Sequence, residues 1–225
     1  MFSDMFQKLW ENGILQLGIW ETIYMTVLAT LFSYVLGLPL GVVLAATDDN
    51  GIHPIRWLNR VLGIIVNVFR SMPFIILMVA MLPVAKLVVG KSLGNSAMIV
   101  TLVIAATPYI ARMVESSIKE VNHGVIEAAQ SMGATNFQLI YKVLIPEAKP
   151  SLIIGAVIST VTVLGYSAMA GTIGGGGLGM IAITYGHQRS NPDIIWVSVV
   201  LIVIIVQVIQ EVGMRIAHKT DKRSR

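Results

Sequence analysis

Few residues in this chain are spaced to do chemistry. Its four histidines, His53, His123, His187 and His218, are scattered, and none stands four residues from a second histidine. There is no cysteine in 225 residues, which removes thiolate metal sites, disulfides and thiol nucleophiles together. Gly90-Lys91-Ser92-Leu93-Gly94 has the Gly-x-Ser-x-Gly spacing, but a nucleophile elbow sits between a strand and a helix, and the apolar run before it lacks a strand's alternation. Gly90-Lys91-Ser92 ends like a phosphate loop, but the glycine required five residues before Gly90 is Ala85. Gly174-x-Gly176-x-x-Gly179 has the spacing of a dinucleotide fingerprint, yet it follows an apolar run and not a strand. It reads as flexible backbone or as a close helix approach. Arg70 is the one clear charge inside an apolar run. At a membrane centre it would cost roughly 2.5–3.5 kcal/mol. A snorkelling interfacial arginine and a pathway arginine both fit it. Catalysis finds no support, and no cofactor or metal is expected on this chain.

The elements that must carry these residues follow from composition. The chain is 55% hydrophobic and only 12% charged, with a mean hydropathy of +0.77. A soluble fold would lack the polar surface to cover its core, and disorder is excluded by the same numbers. Charge-poor runs place five spans: Thr22–Ala46, Val61–Ala85 around Arg70, Ser92–Ala111, Ser151–Ala170 and Ile194–Gln210. The first is 25 residues, roughly 37 Å as a helix. The 39 residues from Pro150 to Gln188 hold no Asp, Glu, Lys or Arg and are too long for one helix, so a glycine-rich turn is expected after Ala170. Helices, not strands, satisfy the backbone in lipid here, because the runs lack alternation. The expected fold is all-α integral membrane.

Five spans put the termini on opposite sides. With the C-terminus inside, eleven Lys and Arg fall inside and four outside, which favours N-outside, C-inside. The net charge of +4 has the same origin. No basic stripe with interleaved aromatics points to nucleic acid. Residues 1–19 carry acids at Asp4 and Glu11 and lack a cleavable-signal pattern. They show a helical apolar stripe of Phe2, Met5, Phe6, Leu9 and Trp10, suited to an interfacial or surface-packed helix. Residues 20–217 form the transmembrane domain, and 218–225 a short basic tail. Glu21 and Glu211 stand at span ends and read as interfacial. No membrane-centre carboxylate remains to carry protons or sodium, which argues against an ion-driven carrier.

The loop Arg112–Lys149 differs from the rest, with eight charges in 38 residues. Val125, Ala128, Ala129 and Met132 recur at helical spacing, and so do Phe137, Ile140, Tyr141 and Leu144. Gly133 can end the first helix, Thr135 can cap the second, and Pro146 and Pro150 are expected to stop it before the next span. The result is a cytoplasmic helix–turn–helix with a small apolar face. That face suits a docked partner, and it equally suits packing on the inner ends of the spans.

These residues resemble a family motif. Glu127-Ala128-Ala129, Gly133 six residues after the Glu, and Val143-x-Ile145-Pro146 are similar to the Glu-Ala-Ala loop of permease subunits of ATP-binding-cassette importers. The pattern's Ile-x-Leu-Pro is here Val-x-Ile-Pro, a change conservative in bulk. Phe69–Leu77, Ala111–Glu115, Glu127–Thr135 and Gly165–Gly171 resemble the methionine-uptake permeases of that family, and the likeness covers residues 20–217. The resemblance implies a coupling helix over Val125–Gly133, with Val125, Glu127, Ala128, Ala129, Met132, Gly133 and Pro146 engaging a separate ATPase. It implies a permease homodimer, two ATP-binding subunits that hold ATP and Mg, an extracytoplasmic binding protein, and the bacterial inner membrane. Methionine as solute rests on the resemblance alone.

The span Ser151–Ala170 is rich in small and hydroxyl residues, which permit close helix contact. It is expected to line the path, with Tyr166, Ser167 and Met169 as pathway residues and Met169 as a flexible plug. Arg70 is the further pathway candidate. Packing explains the small residues as well. A permease for another small solute, an ion-driven carrier or channel, and a structural membrane subunit are the competing readings.

Overall fold

The structure is a computed structural model that describes residues 4–220, the side chains of residues 4–6 excepted. Phe2 and the side chains of Met5 and Phe6, and the tail from Asp221, lie outside the described residues. The described residues form helices and no strand. They are α1 (Asp4–Glu11), α2 (Ile14–Thr47), α3 (Arg56–Ser71), α4 (Phe74–Ala80), α5 (Leu82–Val89), α6 (Asn95–Lys119), α7 (His123–Ser131), α8 (Asn136–Ile173), α9 (Gly177–Ile181, continued by a wide turn over Ala182–His187) and α10 (Pro192–Thr220).

Among the described residues, α2, α6, α8 and α10 are each long and apolar enough to cross a membrane, and α3 with α4 makes a fifth only if that broken pair counts as one. The expected span Val61–Ala85 is therefore not one helix. Pro73 has no N–H to continue α3, and its ring disfavours helical backbone at Met72. Its carbonyl instead accepts the Ile76 and Leu77 N–H groups and starts α4. Arg70 thus stands in the last turn of α3, next to the break, and not within a continuous span. A cation there also suits the helix dipole.

Pro146 and Pro150 do not stop the helix that Thr135 opens. Asn136–Ile173 runs on through both prolines. Leu139–Leu144 is a π-helical turn, and the Ile145 N–H reaches back five residues to Ile140. The widened turn leaves room for the Pro146 ring where a regular α-turn would put it against a carbonyl.

The chain divides into two compact units. One contains the chain up to Phe32, Met72–Ala106 and Thr160–Gln210; the other contains Ser33–Ser71, Thr107–Ser159 and the chain from Glu211. The core of the first has two clusters. Met25, Met78, Ala85, Ala97, Met98 and Ala170 form one. Leu9, Leu15, Leu178, Ile181 and Ile194 form the other, which draws α1 inward through Leu9. The second unit is centred on Leu44, Val66 and Ala111.

Candidate functional site

In the second unit, the loop between α6 and α8 is built from local signals. Asn122 caps α7 by accepting the Gly124 N–H at 2.8 Å. At the other end Gly133 has φ +82° and an N–H bonded to Gln130, while the Ala134 N–H bonds to Ala129. This is the left-handed glycine stop, which any residue with a Cβ would enter under strain. Thr135 then opens α8 with a reciprocal cap, its hydroxyl taking the Gln138 N–H and the Gln138 side chain taking the Thr135 N–H. The angle between α7 and α8 is set by three adjacent caps.

The faces of this hairpin are unequal. Ala129 is buried against its own chain, whereas Glu127, Ala128, Gly133 and Pro146 are exposed. Met132, Phe137 and Tyr141 are 83%, 76% and 67% exposed, and Val125 is exposed as well. The Phe137 and Tyr141 rings lie parallel, 6.5 Å apart. Val125, Met132, Phe137 and Tyr141 thus stand as exposed apolar side chains on a capped helical hairpin.

Behind α7, a cluster of charges holds the end of α6. Glu115 is buried and accepts Arg112 at 2.6 Å and Lys119 at 2.8 Å. Arg112 also reaches Asn67 at 3.0 Å and the Gly63 carbonyl. Lys119 bridges on to Asp48. The Lys119 hydrogen bond is the largest influence on the Asp48 carboxyl and holds it below the ordinary carboxylate range, against the opposing effect of burial. A cavity of about 220 Å³ beside this cluster is lined by Asp48, Asn50, Lys119, His123, Ile126 and Leu144. Sequence reading does not single out the ion cluster, because each charge reads there only as loop polarity. The i, i+3 and i, i+4 spacing of Arg112, Glu115 and Lys119 is the available signal.

In the first unit, α8 carries Tyr166, Ser167 and Met169. Tyr166 stacks on Phe74 with ring centroids 3.8 Å apart. Ser167 is 1% exposed, donates to the Leu164 carbonyl at 2.8 Å and lies 3.4 Å from the Thr26 hydroxyl. Met169 is 47% exposed. Ser167 and Met169 are about 200° apart around the helix, so they address opposite sides of it. Arg70 belongs to the second unit, at the end of α3.

The glycine-rich turn after α8 is held by Glu21, which sequence reading leaves at the interface, together with Thr22 and Asn95. Glu21 of α2 accepts the Gly177 N–H and an Asn95 side-chain N–H, both at 2.8 Å. Asn95 accepts the Gly176 N–H at 2.7 Å, and Thr22 accepts the Leu178 N–H at 2.9 Å. Glycine is required here by contact: a Cβ on Gly176 would lie 2.2 Å from a Glu21 carboxylate oxygen. The dinucleotide-like spacing is accounted for by this packing.

The family of binding-protein-dependent transport system inner membrane components matches residues 37–225. A Vibrio cholerae protein described as a probable D-methionine transport system permease protein, MetI, is 48% identical over 95% of each chain. The methionine import system permease protein MetP of Bacillus subtilis is 43% identical over 97% of this chain and 100% of that one. A solved chain of the MetNI methionine ABC transporter, in inward-facing conformations, superimposes with a TM-score of 0.92 at 45% identity, covering 94% of this chain and 98% of that one.

Proposed function

This chain belongs to the inner membrane components of binding-protein-dependent transport systems, and from that premise we propose that it is the permease subunit of an ATP-driven methionine importer. ATP hydrolysis belongs to separate partner subunits, which hold ATP and Mg. Two copies of this chain, two ATP-binding subunits and an extracytoplasmic binding protein make the working assembly in the inner membrane. Five spans run N-outside to C-inside, with the broken pair α3 and α4 counted as one. The likeness to the methionine permeases supports the solute.

The observation that carries the mechanism is the capped hairpin with its exposed face. Val125, Met132 and Phe137 dock on an ATP-binding subunit. Glu127 and Ala128 sit at the contact, Gly133 fixes the hinge angle, and Ala129 seats α7 on its own chain. Pro146 lies on the lever within α8. Nucleotide-driven closure of the partners draws the two α7 helices together, and α8 passes the displacement to the path as one uninterrupted helix. Tyr166 and Met169 line the path, Met169 as its flexible plug. Ser167 holds their helix in place through Thr26, and Arg70 at the end of α3 is a further residue of the transport route.

The test is ATP-dependent uptake by vesicles containing this chain and its partner subunits. Labelled methionine should enter and labelled glutamine should not. Glutamine uptake without methionine uptake would move the solute elsewhere in the family, and uphill uptake by this chain alone would reject the mechanism. Gly133→Val and Glu127→Lys should insert normally yet lower uptake about tenfold, the cost of roughly one lost charged contact or one strained backbone position.

A further inference from the structure

The first N–H groups of a helix have no intrahelical partner and are ordinarily capped by a neighbour in sequence. At α9 there is no side-chain cap from Gly176. Gly176, Gly177 and Leu178 are instead capped by Asn95, Glu21 and Thr22, which lie 81, 156 and 156 residues away. Caps from that distance fix the place of α9 among other helices. They add nothing to its local propensity that an adjacent serine would not.

Two further contacts carry the constraint to α8. A Cβ on Gly179 would lie 2.0 Å from the Ala168 carbonyl oxygen, and one on Gly171 would lie 2.3 Å from the Met180 nitrogen. The end of α8 therefore lies backbone to backbone on α9. Met169, between two residues of that contact, has its main chain located by α9. Glu21 and Asn95 locate α9 in turn, and both are only half-buried, where water can compete for their bonds.

We propose that Glu21 and Asn95 are positioning residues for transport. Their hydrogen-bonded pair sets the place of the α8 terminus that carries Tyr166 and Met169, and so sets how efficiently each closure of the partners opens the path. This rests on the permease reading above. Donors and acceptors alternate strictly through the pair: the Asn95 amide donates to one Glu21 oxygen, the other Glu21 oxygen takes Gly177, and the Asn95 oxygen takes Gly176.

That alternation makes a sharp experiment. Glu21→Gln sets an amide donor against the Asn95 amide, and no flip of either group restores all the bonds. Asn95→Asp sets two carboxylates against each other, the worse arrangement. The double variant Glu21→Gln/Asn95→Asp reproduces every bond with the direction of one reversed. The amide introduced at position 21 donates to the carboxylate introduced at position 95, while each side chain still accepts its backbone N–H.

The full complex is assembled in vesicles, methionine uptake and ATP hydrolysis are measured together, and hydrogen exchange of residues 174–178 is followed. Uptake per ATP should fall about threefold in Glu21→Gln and about tenfold in Asn95→Asp, and return to within about twofold of wild type in the double variant. Exchange at 176–178 should rise in the same order. A merely structural role would lower complex yield while leaving uptake per ATP in the surviving complexes unchanged. The proposal is overturned by that result, by a double variant no better than Asn95→Asp, or by unchanged exchange. A wild-type complex that moved no solute would instead reject the permease reading, and the role in transport with it. The exchange order would then still report the hydrogen-bonded pair.

Discussion

At the turn after α8, backbone N–H groups are held by Glu21, Thr22 and Asn95, and the glycines leave no side chain between them. At the loop before α8 and in its first turns, the side chains of Met132, Phe137 and Tyr141 stand exposed while Ala129 and Leu139 are buried. The first region satisfies itself from within the chain. The second leaves an apolar face uncovered on a hairpin whose angle is fixed by three caps. On the proposed function, the uncovered segment receives a partner and the closed one holds a distance. Transport by a lever needs both.

The contrast predicts where substitution is tolerated. Gly179→Ala should have the largest effect. The added Cβ meets the Ala168 carbonyl oxygen at 2.0 Å, a backbone atom with nowhere to retreat. We expect a loss of about 3 kcal/mol or more, as for severe overpacking, read as loss of monodisperse protein in detergent. The exposed hairpin should tolerate comparable bulk: Met132→Leu should leave folding unchanged in the same assay.

Glu115→Ala comes next. It leaves Arg112 with Asn67 and Gly63, and Lys119 with Asp48, so neither cation is stranded. The expected cost is about 1–2 kcal/mol, since Glu115 is buried but its partners are partly solvated. Thermal unfolding of the purified chain measures it. A loss as large as that from Gly179→Ala would erase the distinction between the two regions.

The smallest effect is a pH dependence at Asp48. Its carboxyl is held below the ordinary value, so the Lys119 contact contributes fully above the unfolded value and is lost as pH falls through the folded one. Lys119→Met should bring the Asp48 titration back up toward the ordinary carboxylate range, read by carbon-labelled NMR of the carboxyl. An unmoved titration would mean that Lys119 does not hold the group.

What is legible in the sequence is local. Helical spacing at Val125–Met132, glycine at 133 and threonine at 135 foretell α7, its stop and the next start, because caps and turns depend on neighbours in sequence. The apolar runs foretell α2, α6 and α10 for the same reason. Pro146 misleads, because the π-turn just upstream absorbs a proline that would break a regular helix. Pro73 misleads in the other sense: a run of apolar residues records burial or lipid contact but not continuity of the helix. The Glu21–Asn95 pair is not legible at all. Its partners are 74 residues apart and both touch a turn beyond residue 173, and no periodicity encodes a contact across that distance.

On the proposed function, this chain is driven from outside itself through α7. Single cysteines placed at Val125 and at Met132, in a chain that has none of its own, allow bifunctional cross-linking in the assembled transporter. Both should link to the nucleotide-binding subunit, and the yield should change when ATP is added without hydrolysis. Links only to lipid or to the same chain, with uptake intact, would contradict the account.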